Sequence, residues 1–442
     1  MRTFSAILLL LSSLPAAAQL SQNTPELIRV NPHVYCATGY ALGNVIFVLT
    51  DRSIVVVDTT EGQAPAQAAF HDFRKISALP VSYIVYTHFH GDHVNGAKVF
   101  AGPDTKVIAQ KNHIEEMRKY RLMAGYNRKL NQVQWAASVP REERGATLGV
   151  DLLHPPESGY IPPQVAFDEE YKFTEGGVRF ELYHTQGETV DHLMVWLPDF
   201  ETLLPGDLFY WSFPMLASPG KPDRPVLEWA ASLDRMRQLH PAYLVGSHSR
   251  PLAGREAIDQ ALGNYARAIR FVHDQTVKRI NDGEPLYQIR QEVRLPPDLA
   301  SQPYLQPAYG TVEWAVNGVF RQYTGWYDFD PAHLNGGGPA PLERALAEAA
   351  GGTDAILQAC AQGGSRRPTA TGAGTRGSGR QQCRRASPAR GTAGAPRRAE
   401  HQRRGAQHLS RSRRGRAALG VTGVMAPHGL SSAIVMVVRQ SS

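Results

Sequence analysis

Cysteine is scarce in this sequence, and its placement does not favour disulfide bonds. Only Cys36, Cys360 and Cys383 occur in 442 residues, and two of them lie in an unusual C-terminal segment. A chain of this length with three cysteines has no disulfide framework, even in an oxidising compartment. We therefore expect Cys36 to be a small buried apolar residue.

The first 359 residues lack the positive charge that the net charge of +7 implies for the whole chain. Residues 360–442 contain 16 Arg and one Glu, without Lys or Asp, so the rest of the chain holds 31 basic and 39 acidic residues. A mildly acidic domain lacks the net positive charge that would attract a polyanion. We therefore expect no nucleic-acid partner, and a nuclease function is disfavoured.

No apolar run is long enough to span a bilayer. At the N-terminus, Arg2 precedes a short apolar run from Ile7 to Leu11, and small residues follow at Pro15 to Ala18. This order is typical of a secretory signal peptide. We predict a signal peptide over residues 1–18 and a periplasmic or secreted protein without a membrane span.

Aromatic residues are absent from the last 83 positions. Arg, Gly, Ala, Ser and Pro dominate there, and such a composition cannot bury enough apolar surface to offset the entropy of ordering. We predict a disordered Arg-rich tail over residues 360–442. Its composition is also that of GC-rich coding sequence read in the wrong frame, and we prefer this frameshift interpretation to a genuine basic tail.

The preceding residues show two kinds of pattern. Residues 26–253 alternate β-rich runs with helical stretches, which predicts an α/β domain, and residues 255–345 carry helical periodicity, which predicts a small all-α domain. The predicted strands are Val45–Leu49, Ser53–Val57, Val81–Tyr86, Val107–Ala109, Val178–Tyr183, Leu193–Leu197 and Tyr243–Val245. The predicted helices are Ala64–Ile76, 110–145, Ala257–Asn281 and Tyr309–Tyr323.

A histidine-rich run, Thr87 to His93, directly follows the predicted strand Val81–Tyr86. At a strand end, residues two apart project to the same side, so His88 and His90 can bind one ion. Gly91 permits a turn, after which Asp92 and His93 can face a second ion. Imidazole and carboxylate groups suit zinc and related divalent ions.

Three later segments offer further ligands at the ends of apolar stretches. They contain Glu188, Asp207 and His248, and each of these residues follows a glycine directly or by one position. Each segment alone is more typical of an ordinary turn. Their order after the histidine-rich run supports a metal site with two ions.

These motifs resemble those of the metallo-β-lactamase superfamily, and within it the alkylsulfatase branch. The resemblance covers residues 26 to about 360. It rests on the histidine-rich run, on Glu188 in the place of a more usual His, and on the segments around Phe213–Leu216 and Tyr309–Tyr327. It implies an αβ/βα sandwich with a dinuclear site on one edge, followed by a dimerisation domain in residues 255–345 and hence a homodimer.

The resemblance also implies the ligand assignment. His88, His90 and Glu188 would hold the first metal ion, Asp92, His93 and His248 the second, and Asp207 would bridge both ions, which we expect to be Zn²⁺. The neighbouring His184 and His192 are alternative ligands to Glu188. Asp58 matches a family position and is expected to support the ligands rather than to bind metal.

Substrate recognition departs from the alkylsulfatase pattern. Met215 stands where that branch has a sulfate-binding Asn, and Pro219 or Gly220 stands where it has an Arg. Arg224 and Arg250 are the remaining cations near the site, and we select Arg224 as the substrate-binding residue. The sulfate-ester assignment is therefore weaker than the hydrolase assignment.

The expected function is hydrolysis of small alkyl sulfate esters by a metal-bound hydroxide, without a nucleophilic side chain. One alternative is hydrolysis of another ester or amide, such as a lactone or a β-lactam. A second is a metal-binding protein without catalysis, although all seven ligand positions are filled.

Overall fold

The computed structural model describes residues 24–134 and 157–328, together with seven isolated positions between 334 and 355. Residues 1–337 and 338–442 form separate units, and all elements below lie in the first. The predicted signal peptide (1–18) and the predicted tail (360–442) lie outside the described residues. Within the described part, no helix is both long and apolar enough to cross a bilayer.

Strands and helices alternate through about the first three quarters of this unit, and in the described residues helices alone follow. The strands are β1 (Glu26–Arg29), β2 (Val34–Thr38), β3 (Val45–Leu49), β4 (Ile54–Val57), β5 (Val81–Val85), β6 (Lys106–Gln110), β7 (Val165–Phe167), β8 (Glu170–Glu175), β9 (Val178–His184), β10 (Leu193–Leu197), β11 (Thr202–Leu204), β12 (Tyr243–Leu244) and β13 (Leu252–Ala253). The helices are α1 (Gln63–Phe73), α2 (Gly91–Val94), α3 (Ala97–Phe100), α4 (His113–Leu122), α5 (Ala124–Gln134), α6 (Val226–Gln238), α7 (Arg255–Asn281), α8 (Leu286–Glu292), α9 (Pro297–Ala300) and α10 (Val312–Thr324).

The strands form two mixed sheets. In the first, β1 to β7 lie side by side in chain order, antiparallel as far as β4 and parallel from β4 to β7. In the second, the order is β13-β12-β11-β10-β9-β8, and only β11 and β12 are parallel. Helices connect the parallel neighbours, as parallel pairing requires.

The two sheets face each other across a shared apolar layer. Alternate residues of each strand point to opposite faces, so Val34 and Cys36 of β2 lie in the layer between the sheets, whereas Tyr35 faces the other way. Phe180 of β9 and Val195 of β10 complete the layer from the second sheet. The predicted αβ/βα sandwich is confirmed, and Cys36 is buried as expected.

The outer face of each sheet is covered by helices. Residues of α1 and α3 pack on the first sheet through an aromatic cluster that includes Phe47, Phe70 and Phe100. Residues of α6 and α7 pack on the second sheet, where Trp229 and Tyr265 are fully buried. Both faces of each sheet are therefore apolar, which explains the nearly continuous hydrophobic runs of β3 and β4.

The region after β13 is helical throughout its described part. The buried residues of α7 recur three or four positions apart, as in Ile258, Leu262, Tyr265 and Ile269, which is the pattern of one apolar helical face. α10 begins at the hydroxyl of Thr311, which accepts a hydrogen bond from the backbone N–H of Trp314 at 3.1 Å. α7 packs against both α6 and α10, so this region shares its core with the second sheet.

Loops that follow the carboxyl ends of strands meet at one edge of the sandwich. β4 and β5 are parallel neighbours, as are β11 and β12. The residues after them therefore emerge at the same edge of each sheet. Asp58, His88, Asp207 and His248 follow these four strands, and Glu188 lies in the turn between β9 and β10.

Gly206 is a point where this arrangement depends on the absence of a side chain. Its φ is +57°, and a Cβ there would lie 2.7 Å from Nε2 of His192 and 2.8 Å from Cβ of Thr87. Gly283 has a similar φ of +78°, but a Cβ there would have no neighbour within 4 Å. Substitutions at these two glycines therefore separate the cost of backbone strain from the cost of steric crowding.

We predict that Gly206→Ala lowers the free energy of unfolding more than Gly283→Ala does. An L-residue in the left-handed region costs about 1–2 kcal/mol, and only position 206 adds a steric clash against the core. Urea unfolding of both variants measures the difference. Equal losses would show that the edge of the sandwich can relax around an added methyl group.

Candidate metal centre

The first group of ligand atoms comes from both sheets. His88 follows β5, His90 precedes the first turn of α2, and Glu188 lies in the β9–β10 turn. Nε2 of His88 lies 2.9 Å from Nδ1 of His90, and the latter lies 3.6 Å from Oε1 of Glu188. One ligand atom from each residue therefore falls within a sphere that could hold an ion.

The second group lies beside the first. It consists of Asp92 and His93, which belong to α2, and His248 after β12. Oδ2 of Asp92 lies 3.5 Å from Nε2 of His93 and 3.3 Å from Nε2 of His248. The side chains of His88, His93 and Glu188 are buried, whereas those of His90, Asp92 and His248 are 12–23% exposed, so each group has a buried and a partly exposed part.

Asp207 contacts imidazoles of both groups. Its Oδ2 atom lies 3.1 Å from Nε2 of His248, 3.5 Å from Nε2 of His93 and 3.8 Å from Nε2 of His88. His88, His93 and Asp207 accordingly form a third group of possible ligands that overlaps the other two. The structure thus brings all seven predicted residues together in one cluster.

Two buried atoms of this cluster make no hydrogen bond, namely Nε2 of His93 and Oδ1 of Asp207. A buried polar atom without a partner costs about 1–3 kcal/mol, and a cation between these atoms would satisfy both. Four imidazoles and three carboxylates are ligands typical of zinc and similar divalent ions. The residues therefore fit a divalent metal centre.

Asp58 fixes the buried side of the centre. Its carboxylate accepts hydrogen bonds from the backbone N–H and the hydroxyl of Thr87 (2.9 and 2.8 Å) and from the hydroxyl of Ser247 (2.7 Å). Nδ1 of His93 lies 2.8 Å from the same carboxylate. With Nδ1 engaged in this way, Nε2 of His93 points into the cluster, as expected for a supporting carboxylate.

The pKa values of the ligands shift in both directions. Burial raises the pKa of Glu188 to about 7, and burial of His93 and His248 is outweighed by Asp207 and Asp92, which raise the pKa of both imidazoles well above the usual value. Burial lowers the pKa of His88 well below its usual value and lowers that of His90 to about 3, because a charged imidazole loses its hydration there. Burial opposes ionisation of Asp207, but His248 and His93 outweigh it and hold the pKa of that carboxyl well below its usual range. Neutral imidazoles and ionised carboxylates are the forms that bind metal.

The two histidines beside Glu188 lie outside the three ligand groups. Nε2 of His192 accepts a hydrogen bond from the backbone N–H of Asp207 at 3.1 Å, and its Nδ1 lies 3.0 Å from the hydroxyl of Thr185. The other histidine, His184, donates from Nε2 to the carbonyl of Val190 at 3.0 Å. His192 therefore helps to position the Asp207 backbone, and the geometry favours Glu188 as the ligand.

The predicted substrate residue, Arg224, lies inside the centre rather than at its mouth. It is buried, and its guanidinium donates to Oε2 of Glu188. Met215 is also buried and belongs to the apolar core beside α6, so it presents no polar group. Arg250 instead forms an ion pair with Glu26, with its Nη2 atom 3.1 Å from Oε1.

Lys221 is a cation that the sequence interpretation missed. It lies three residues before Arg224, and burial together with the Arg224 charge lowers the pKa of its amine, whereas Glu188 and Asp92 act in the opposite direction. In the part of the chain that the structure describes, no carboxylate oxygen lies within 4 Å of its amine. Its position next to Gly220, where the alkylsulfatase pattern has a cation, was the available signal.

Thr87 and Ser247 were also missed, although each directly precedes a predicted ligand. Tyr309, which precedes α10, was missed as well; burial raises the pKa of its hydroxyl, Glu188 adds to the rise and Arg224 opposes it. Hydroxyl groups are common on any surface. Only their convergence in space distinguishes these three from other Ser, Thr and Tyr residues.

Two family models match this chain. The metallo-beta-lactamase superfamily matches residues 39–248, which contain all seven predicted ligands. The alkyl sulfatase dimerisation family matches residues 286–367, so its match begins within the helical region and extends past residue 360.

Known relatives agree with both matches. A linear primary-alkylsulfatase from Pseudomonas sp. is 31% identical over 322 residues, which cover 70% of this chain and 61% of that protein. An (R)-specific secondary-alkylsulfatase from Pseudomonas sp. is 28% identical over 363 residues, which cover 77% of this chain and 54% of that protein. The chain thus spans between a half and two thirds of the length of these relatives.

A solved structure shares the fold. The stereoselective inverting sec-alkylsulfatase Pisa1 from Pseudomonas sp. matches with a TM-score of 0.70 at 25% identity, over 77% of this chain and 57% of that one. Together with the two sheets and the clustered ligands, these matches identify the chain. It belongs to the metallo-beta-lactamase superfamily and carries an alkyl sulfatase dimerisation domain after its metallo-beta-lactamase domain.

Proposed function

We propose that this protein is a dinuclear-metal hydrolase that cleaves alkyl sulfate esters. The observation that carries the proposal is the overlap of three ligand groups through His88, His93 and Asp207. One isolated group would fit a single structural ion, whereas overlapping groups fit two neighbouring ions with a shared ligand. The alkylsulfatases among the relatives support the choice of ester.

In this proposal the ligands divide as the sequence predicts. His88, His90 and Glu188 would hold one Zn²⁺ ion, and Asp92, His93 and His248 would hold the other. Oδ2 of Asp207 is nearest to His248, but it also lies within 4 Å of His88 and His93, which supports Asp207 as the bridging ligand.

Ions bound at such a centre supply Lewis acidity and acidify water near neutral pH. The protein contributes the geometry. Asp58 fixes the ring of His93, and Thr87 and Ser247 fix Asp58 in turn. The fully buried His88 and His93 close one side of the centre, and the partly exposed His90, Asp92 and His248 lie on the side that a substrate can approach.

A sulfate ester carries a negative charge, and two cations on one loop could attract it. Arg224 was selected from the sequence, and its guanidinium has further N–H groups beyond the one bonded to Glu188. Lys221 offers an amine that lacks a carboxylate partner within 4 Å among the described residues. We propose that Lys221 and Arg224 take the place of the sulfate-binding Asn and Arg that the alkylsulfatase pattern has at position 215 and at position 219 or 220.

We also propose export to the periplasm or the extracellular space and assembly as a homodimer. The first proposal rests only on the signal-peptide pattern of residues 1–18. The second rests on the match to a dimerisation family and on aromatic surface. Tyr287, Tyr323 and Trp326 are exposed, whereas Phe320 is buried in the core of its own chain.

A substrate panel tests the reaction. Protein with a measured zinc content should hydrolyse a linear alkyl sulfate and release sulfate, with much lower rates on a lactone and on the β-lactam nitrocefin. Turnover of the lactone or nitrocefin alone would place the protein in another hydrolase class. Bound metal without turnover of any compound would support the non-catalytic alternative.

The metal content tests the centre separately. We predict two divalent ions per chain by elemental analysis and about one in His90→Ala, because an imidazole ligand of the first group is lost. Turnover of an alkyl sulfate should fall to background in this variant. His33→Ala is a matched control, since His33 stacks on Phe200 away from the ligand groups. Active protein with only traces of metal would refute the centre.

Light scattering tests the dimer. The full chain should have twice the monomer mass at micromolar concentration, and Trp326→Ser should shift it toward the monomer, because burial of aromatic surface stabilises interfaces. Leu122→Ser removes a similarly exposed apolar residue from α4 and should leave the mass unchanged. A monomeric wild-type chain would contradict the proposal.

A further inference from the structure

The loop between residues 216 and 225 is held by α10. Nε of Arg321 lies 2.9 Å from Oδ2 of Asp223, and a second N–H of the same guanidinium contacts Oδ1. The side-chain amide of Gln322 donates to the carbonyl of Arg224 at 2.5 Å. Two successive residues of α10 therefore bind two successive residues of the loop.

Close packing reinforces these bonds. Gly318 lies three and four residues before Arg321 and Gln322, which places the three on one face of α10. A Cβ at Gly318 would lie 2.7 Å from Cβ of Ala217, so the helix backbone approaches the loop directly. The loop closes on itself through a 3.2 Å hydrogen bond from the N–H of Arg224 to the carbonyl of Leu216.

The side chain of Arg224 carries this arrangement to the metal centre. Its guanidinium donates to Oε2 of Glu188, which leaves Oε1 of Glu188 facing Nδ1 of His90 at 3.6 Å. Both partners of the ion pair are buried, and the guanidinium lies 5.8 Å from the ring centroid of Trp229. The two oxygens of Glu188 thus have separate neighbours.

We propose that Arg224 is a positioning residue for Glu188, and that α10 sets this position through the 216–225 loop. The planar guanidinium orients one carboxylate oxygen, so the other is directed toward His88 and His90 before an ion binds. Residues that orient a metal ligand in this way influence affinity for the ion. The helical domain therefore controls how tightly the first ion is held.

This inference rests on the proposed metal centre but not on the choice of sulfate ester as substrate. It also differs from a role for Arg224 in substrate binding. A substrate contact alone would change KM and leave metal affinity unchanged. A positioning role changes the affinity for one of the two ions without any substrate present.

The experiment measures metal affinity of the full chain by Co²⁺ titration of metal-stripped protein and by Zn²⁺ competition with a chromophoric chelator. The variants are Arg224→Gln, Arg321→Gln and their combination. Arg321 is partly exposed, so its substitution is compatible with folding even if Arg224→Gln is not. Glu313→Gln is the control, because Glu313 lies on α10 but pairs with Arg294 at 3.6 Å, away from the loop. Circular dichroism verifies that each variant is folded.

We expect Arg224→Gln to weaken the binding of one of the two ions by roughly 10–100-fold, the usual range for residues that support a ligand. Arg321→Gln should weaken binding of the same ion by a smaller factor. The double variant should have the metal affinity of Arg224→Gln, and Glu313→Gln should have that of the wild type. Unchanged affinity in Arg224→Gln with a raised KM would overturn the positioning role. Weaker binding of the first ion in Arg224→Gln but not in Arg321→Gln would show that α10 does not set the position of Glu188. Wild-type protein that binds no ion would overturn the metal centre as well.

Discussion

The buried carboxylate of Asp58 joins the two sheets at the edge where the metal centre lies. It accepts hydrogen bonds from Thr87 after β5 and from Ser247 after β12, and it orients His93. The backbone at Asp58 has a φ of +56°, a conformation that Asp tolerates better than most residues. A buried carboxylate requires several hydrogen-bond donors. The hydrogen bonds to Asp58 therefore hold the loops that carry the ligands in place.

The remaining ligands are positioned by neighbours from different parts of the fold. His192 bonds to the backbone of Asp207, and Gly206 allows these two to approach closely. Glu188 is held instead by Arg224, whose loop is bound by α10. The second ligand group therefore depends on the sandwich itself, whereas the first also depends on the helical domain that follows it.

Much of the fold could be predicted from the sequence, because buried strands leave a strong signal. The apolar runs of β3 and β10 were predicted with the bounds that the structure shows, and α7 within two residues. β8 was missed, although its side chains alternate between exposed and half-buried positions, because charged residues interrupt its hydrophobic pattern. The helical prediction for 110–145 corresponds to α4 and α5 as far as residue 134, and its remainder lies outside the described residues.

The site was predictable to a different degree. The histidine-rich run and three glycine-containing turns are local in sequence, so all seven candidate ligands could be named before their convergence was known. Lys221 and the pairing of Arg224 with Glu188 could not be derived, because contacts between residues 36 positions apart leave no local pattern. The same holds for the contact of α10 with the loop, which joins residues 98 positions apart.

The most direct test of this account is a crystal structure of the zinc-loaded protein with anomalous scattering measured at the zinc edge. The account predicts two peaks per chain about 3.5–4 Å apart, each within bonding distance of Asp207, with Glu188 on the peak beside His88 and His90. A single peak, or two peaks that do not share Asp207, would contradict it.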